Sequence, residues 1–182
     1  MTKWRFVAIR ARNACIGLLL MALCLATAAG CGGPHKPSDG QLKANAAALA
    51  SVLPILAVDG LENFRDLEWC RSLKYRRGAF SSDPNDSTCN LFSGPARGFD
   101  PEASSEFGRI QSAFKSAGIQ VIGVDRYRGP TGVQLMFDVV SGGNDRWSYV
   151  YEPGYRLPSS DPAELVATRI DGDWYFMWQD WN

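Results

Sequence analysis

Apolar residues recur at helical spacing in the first half of the chain and alternate with polar ones in the second. From Gln41 to about Val58 the sequence is rich in Ala and Leu, with Leu42, Ala46, Leu49, Leu53 and Leu56 near one helical stripe. Pro54 interrupts this segment, where a missing N–H and a bulky ring kink or end a helix. Leu61 to about Cys70 gives a second short helical pattern through Leu61, Phe64 and Leu67. Lys74 to Ser81 reads as a strand, and residues 82–87 as a turn-rich loop. The best-bounded helix follows. Asp100 caps it, Pro101 suits its first position, Gly118 ends it, and Phe107, Ile110, Phe114 and Ala117 form its apolar stripe.

After Gly118 the period changes from helical to alternating. Residues 119–127, 133–140, 146–151, 163–170 and 174–179 read as five strands. Arg128-Gly-Pro-Thr-Gly132, Ser141-Gly-Gly-Asn144 and Asp171-Gly172 separate several of them, and the last is a strong hairpin signal. Short links imply antiparallel neighbours, because parallel strands need long crossovers. The expected class is α+β: N-terminal helices and one central helix packed on a curved antiparallel meander of about five strands.

The first thirty residues carry no such pattern. Lys3, Arg5, Arg10 and Arg12 precede an apolar run from Cys15 to Ala26, and Thr27, Ala28, Ala29 and Gly30 follow. A basic start, a short apolar stretch and small residues are the three parts of a secretory signal. The apolar run falls short of the roughly 20 residues of a membrane-spanning helix.

Ala28-Ala29-Gly30-Cys31 resembles the lipobox of bacterial lipoproteins, although Ala28 stands where that family usually carries Leu. Cleavage by ordinary signal peptidase after Ala26-Thr27-Ala28 is the alternative. Cysteine parity bears on the choice. Cys15 and Cys24 leave with the leader, and Cys31, Cys70 and Cys89 stay, an odd number for an exported chain. Lipidation of Cys31 leaves Cys70 and Cys89 as a pair free to oxidise across a turn-rich loop. Metal binding by the pair is the rival, but two cysteines without a nearby histidine make a poor site. The resemblance implies acyl chains, palmitate among them, on Cys31 and a place in the cell envelope. That place is the outer membrane facing the periplasm in a diderm and the outer face of the plasma membrane in a monoderm. Residues 1–30 then form the signal, 31–40 a Gly- and Pro-containing tether, and 41–182 one domain.

Charge narrows the function. The leader removes four of the 19 basic residues and none of the 19 acidic ones, so the mature chain carries about −4 and no electrostatic footprint for nucleic acid. The densest basic run, Arg71, Lys74, Arg76 and Arg77, follows Glu62, Asp66 and Glu68 and reads as a solvated face rather than an anion site. The one histidine, His35, sits in the tether, which argues against Ser-His and Cys-His schemes. No phosphate loop, dinucleotide fingerprint or calcium loop appears, so neither cofactor nor metal is expected. Asp125 and Asp138 are the natural carboxylate pair. A turn at Gly129-Pro130 sets Asp138 opposite residue 121 or 122 and leaves the carboxylates about 10 Å apart or on opposite faces.

Trp147, Tyr149 and Tyr151 share one face of a strand, and Trp174, Phe176 and Trp178 share one face of the last. They either close the core or line a ligand cavity or partner surface. The element order and the ending Ile170-Asp-Gly-Asp-Trp-Tyr175 resemble NTF2-like domains, with a cystatin-like fold as the close rival. The leading expectation is a non-enzymatic, membrane-anchored envelope lipoprotein that binds a protein partner, an inhibitor or immunity type among the forms this takes. The alternative is a small-ligand-binding NTF2-like domain with an aromatic-lined cavity, and an enzyme using that cavity comes last.

Overall fold

The computed structural model describes residues 36–58, 60–76, 78–82, 89, 97–129, 132–139, 145–154 and 165–180. The leader, Cys31 and the tether as far as His35 lie outside the described residues, as do Arg77 and Trp181.

Helix α1 (Asp39–Val58) starts from a reciprocal cap. The Ser38 backbone N–H donates to Gln41 Oε1 at 3.0 Å, and the Gln41 N–H donates to Ser38 Oγ at 3.4 Å. Its buried stripe is Leu42, Ala46, Leu49, Val52 and Leu56, with Leu53 at the margin. Pro54 does not end the helix, because Leu56 beyond it is anchored in the core.

The segment expected to be a second helix is instead strand β1 (Leu61–Asp66). Leu61 and Phe64 have helical spacing, yet a bulge between Leu61 and Asn63 supplies the extra residue that lets both face the core from a strand. The bulge imitates the period of a helix. Strand β2 (Arg71–Tyr75) and strand β3 (Gly78–Ser81) replace the single strand expected over 74–81. Strand β4 (Arg97–Gly98) pairs in parallel with β3.

Helix α2 (Pro101–Ser116) matches its sequence signals. Asp100 accepts from the Ala103 N–H at 2.8 Å, Pro101 opens the helix, and Gly118 follows with φ of 73°. Strands β5 (Val121–Gly129), β6 (Gly132–Val139), β7 (Asp145–Tyr151), β8 (Leu165–Asp171) and β9 (Trp174–Asp180) complete the element order.

Among the described residues the sheet has nine strands in the order β4-β3-β2-β1-β5-β6-β7-β9-β8, antiparallel apart from β3–β4. The class is α+β, but the meander of about five strands is corrected to nine. Its order is corrected as well. β9 lies between β7 and β8, because the long connection over 152–164 frees β8 to sit at the edge and fold back through Gly172.

The helices cover one face. Phe64 stacks on Phe107 of α2 with centroids 5.0 Å apart, and Phe114 reaches both Phe64 and Phe137. A smaller cluster of Met136, Val150 and Tyr175 lies on the opposite face, since these residues alternate with Phe137, Tyr149 and Phe176. Cys70 and Cys89 are joined across a separation of 19 residues, with Cα atoms 5.1 Å apart.

Replacing both with Ser is expected to lower the unfolding free energy by about 3 kcal/mol through the freed loop. Urea unfolding without reductant checks this: an unchanged midpoint would show that the bridge does not constrain the unfolded chain.

Candidate functional site

Strands β7 and β9 bring the six aromatic candidates together as cross-strand pairs: Trp147 with Trp178, Tyr149 with Phe176 and Tyr151 with Trp174. Trp147, Tyr149, Trp174 and Phe176 are buried against the helices, while Tyr151 and Trp178 are partly exposed at the margin. Asn45 of α1 donates to the Tyr149 hydroxyl at 2.8 Å, and burial raises the pKa of that phenol above its usual value. The four buried aromatics join Phe64, Phe107, Phe114 and Phe137 in one buried cluster between helices and sheet. At its edge an open groove of about 290 Å³ is lined by Phe64, Phe114, Ile119 and Val121, among others.

On the other face the central strands carry a seam of buried charge. Asp125 accepts from Asn63 Nδ2 at 2.6 Å and from Arg65 Nη2 at 2.5 Å. Asp138 accepts from Arg146 Nε at 3.0 Å and Nη2 at 2.5 Å, and from Ser148 Oγ at 2.8 Å. The same Arg146 Nη2 lies 3.7 Å from Asp125. Ser72 on β2 extends the seam by donating to Asn63 Oδ1 at 3.2 Å. Two carboxylates and two guanidinium groups make the cluster neutral. Burial alone would lower the Arg146 pKa, but the hydrogen bond and charge of Asp138, helped by Asp125, raise it above its ordinary value.

This overturns the separation expected for the carboxylates. Gly129 pairs with Gly132, and that register runs unbroken to Gly123 opposite Asp138, before the bulge that follows at Val121; this puts Asp125 and Asp138 on one face and on one guanidinium. Each of the four carboxylate oxygens accepts from at least one of these donors. Gly123 is needed for this arrangement: a Cβ there would stand 2.5 Å from Arg65 Nη1 and 3.1 Å from its Cζ.

Two features lie outside the pairs singled out from sequence. The first is Trp69. Leu67 and Cys70 exchange backbone hydrogen bonds of 2.9 and 3.2 Å, which close β1 and β2 around Glu68 and Trp69, and the disulfide begins at the next residue. Trp69 is 62% exposed on this fixed turn. Its signal in the sequence was a lone tryptophan beside a cysteine in a segment that reads as helix. The second is a groove of about 540 Å³ at the other end of the hairpin, lined by Lys74, Arg76, Arg126, Tyr127, Arg128 and Val133 with parts of the seam. Burial, and then the charge of Asp125, raise the Tyr127 pKa.

Among the described residues no group of three or more His, Cys, Asp and Glu side chains could hold a metal ion, and no helix is long and apolar enough to cross a membrane. Comparison with protein-family models, curated proteins and solved structures finds no match to this chain.

Gly123→Ala is expected to push Arg65 off Asp125 and cost about 1–3 kcal/mol of stability, as expected when a buried acceptor loses its partner. Chemical denaturation measures it, and an unchanged stability would show that Arg65 is not wedged against Gly123.

Proposed function

We propose that this chain is a lipid-anchored envelope protein whose folded domain works by binding a protein partner, with Trp69 as the anchor of that contact. The observation that carries the reading is a large aromatic side chain 62% exposed on a tight turn fixed by backbone bonds and a disulfide. A tryptophan so held loses little conformational freedom on binding and offers a large apolar area, the properties of an interface hot spot. Two further observations support binding over catalysis. Four of the six strand aromatics are spent in the core, and Asp125 and Asp138 are spent on Arg65 and Arg146.

The anchor rests on the leader and on cysteine parity. Oxidation of Cys70 with Cys89 leaves Cys31 as the odd cysteine of the exported chain.

A second reading keeps the NTF2-like ligand binder. Two helices on one face of a bulged sheet suit that fold better than a single wrapped helix, and the apolar groove between α2 and the sheet favours a ligand. Its volume of about 290 Å³ falls at the lower limit of small-molecule pockets, about 300 Å³.

Two experiments test the proposal. Cys31→Ser should lose acyl labelling and membrane partition, and retention of both would remove the anchor. A photo-reactive phenylalanine analogue at position 69 should give a discrete protein cross-link in cells, whereas the same probe at exposed Ser105 of α2 should not. Equal products from both positions, or none from position 69, would overturn the contact. Trp69→Ala should remove the partner while changing stability by no more than about 0.5 kcal/mol, as surface substitutions do.

A further inference from the structure

The basic run at Arg71–Arg76 does not stay together in the fold. Arg71 Nε lies 3.7 Å from Asp66, and Lys74 Nζ lies 3.6 Å from Glu62. Arg76 is carried past the end of β2 to the groove, where it meets Arg126 and Arg128 of β5. Among the described residues none of these three arginines forms an ion pair.

Arg126 is the informative member. Its Nε donates to the Leu61 carbonyl at 2.5 Å and its Nη2 to the Leu56 carbonyl at 3.4 Å, in the last turn of α1. No basic residue of α1 itself stands in that turn. Arg126 therefore serves the helix C-terminus, where a cation is favoured. Carbonyl oxygens fix a guanidinium without cancelling its charge. Burial lowers the Arg126 pKa and the charge of Arg76 lowers it further, which the charge of Glu62 offsets only in part. Helix capping accounts for Arg126. It accounts for neither Arg76 nor Arg128, which are exposed and approach the same space.

The contrast with the adjoining seam is physical. There Arg65 and Arg146 are neutralised by Asp125 and Asp138, while of the two acids that line the groove Glu62 is engaged by Lys74 and Asp125 belongs to the seam. A positive groove thus stands on a mature chain of about −4. A carboxylate suits one guanidinium fork, whereas three guanidinium groups suit an anion with more oxygens and up to two charges. Tyr127 and Val133, each 45% exposed, flank the cations with apolar surface. At about 540 Å³ the space falls within the range of small-molecule sites, about 300–1,000 Å³.

We infer that this groove binds a phosphoryl group carried on a small organic moiety, with Arg76, Arg126 and Arg128 holding the oxygens and Tyr127 and Val133 contacting the organic part. The site is separate from Trp69 and does not depend on the protein-partner reading. A lipid headgroup and a soluble phosphate ester share this chemistry.

The full chain in non-ionic detergent, titrated by calorimetry at low ionic strength, tests the inference and separates the sources. Inorganic phosphate and glycerol 3-phosphate represent the soluble arm, and dihexanoyl phosphatidylglycerol the headgroup. Saturable binding is expected in at least one arm. Arg76→Gln with Arg128→Gln, both at exposed positions, should weaken it at least about tenfold, in line with loss of charge-assisted hydrogen bonds. Arg71→Gln should leave it unchanged. Binding of the soluble probes assigns a soluble ester, and binding of the lipid alone assigns a headgroup. Absence of saturation in both arms would overturn the inference, as would full affinity in the double variant or equal weakening by Arg71→Gln.

Discussion

A sheet with helices on one face can leave the other to water, yet here that face carries the largely buried Arg65–Asp125–Arg146–Asp138 seam. Asn63, Ser72 and Ser148 complete it, so adjacent strands from β2 through β1, β5 and β6 to β7 are tied by side chains as well as by backbone. A buried charge without its partner is costly, and the cluster holds because each acid has a guanidinium and each remaining oxygen a donor. The backbone is shaped to allow this. The register that begins with Gly129 opposite Gly132 sets Asp138 beside Asp125, and Gly123 leaves the space that Arg65 occupies.

The opposite face explains why the interior is structural. The pairs Trp147–Trp178, Tyr149–Phe176 and Tyr151–Trp174 run along β7 and β9 beneath the helices, and Phe64, Phe107, Phe114 and Phe137 continue the aromatic layer. Phe64 stacks on Phe107 at 5.0 Å and Phe114 meets Phe137 at 6.2 Å, so these rings are occupied by one another. The features that face outward are consequently peripheral, at the two ends of the β1–β2 hairpin: Trp69 at its closed turn and the arginine groove at its open end.

Much of this was legible where the signals are local. Asp100, Pro101 and Gly118 bound α2 from sequence alone, and the Asp171-Gly172 turn joins β8 to β9 as its residues imply. Cysteine parity, with Cys31 set aside as the expected lipid site, pointed to Cys70 with Cys89. Failures came where one residue altered a period or a register. Leu61 and Phe64 read as a helical pair because a bulge gives a strand the same spacing, and Gly129 pairs with Gly132, which places Asp138 one residue further along β5 than a turn at Gly129-Pro130 implies. The insertion of β9 beside β7 was hidden because the connection over 152–164 is too long to dictate a neighbour. The seam was hidden for a related reason. Arg65, Asp125 and Arg146 are far apart in sequence, and only register makes them one cluster.

The same register explains why positive charge collects in the groove. The carboxylates that could neutralise it are already committed: Glu62 to Lys74, Asp66 to Arg71, Asp125 to Arg65 and Arg146. What holds Arg126 is a pair of backbone carbonyls, and these satisfy hydrogen bonds while leaving a full charge in place. An arginine stabilised by a carboxylate is a structural strut, whereas one stabilised by carbonyls is still able to meet an anion. The two kinds stand side by side on β1 and β5. Arg65 closes the seam and Arg126 opens the groove, and the difference between them is the partner the fold has given each one.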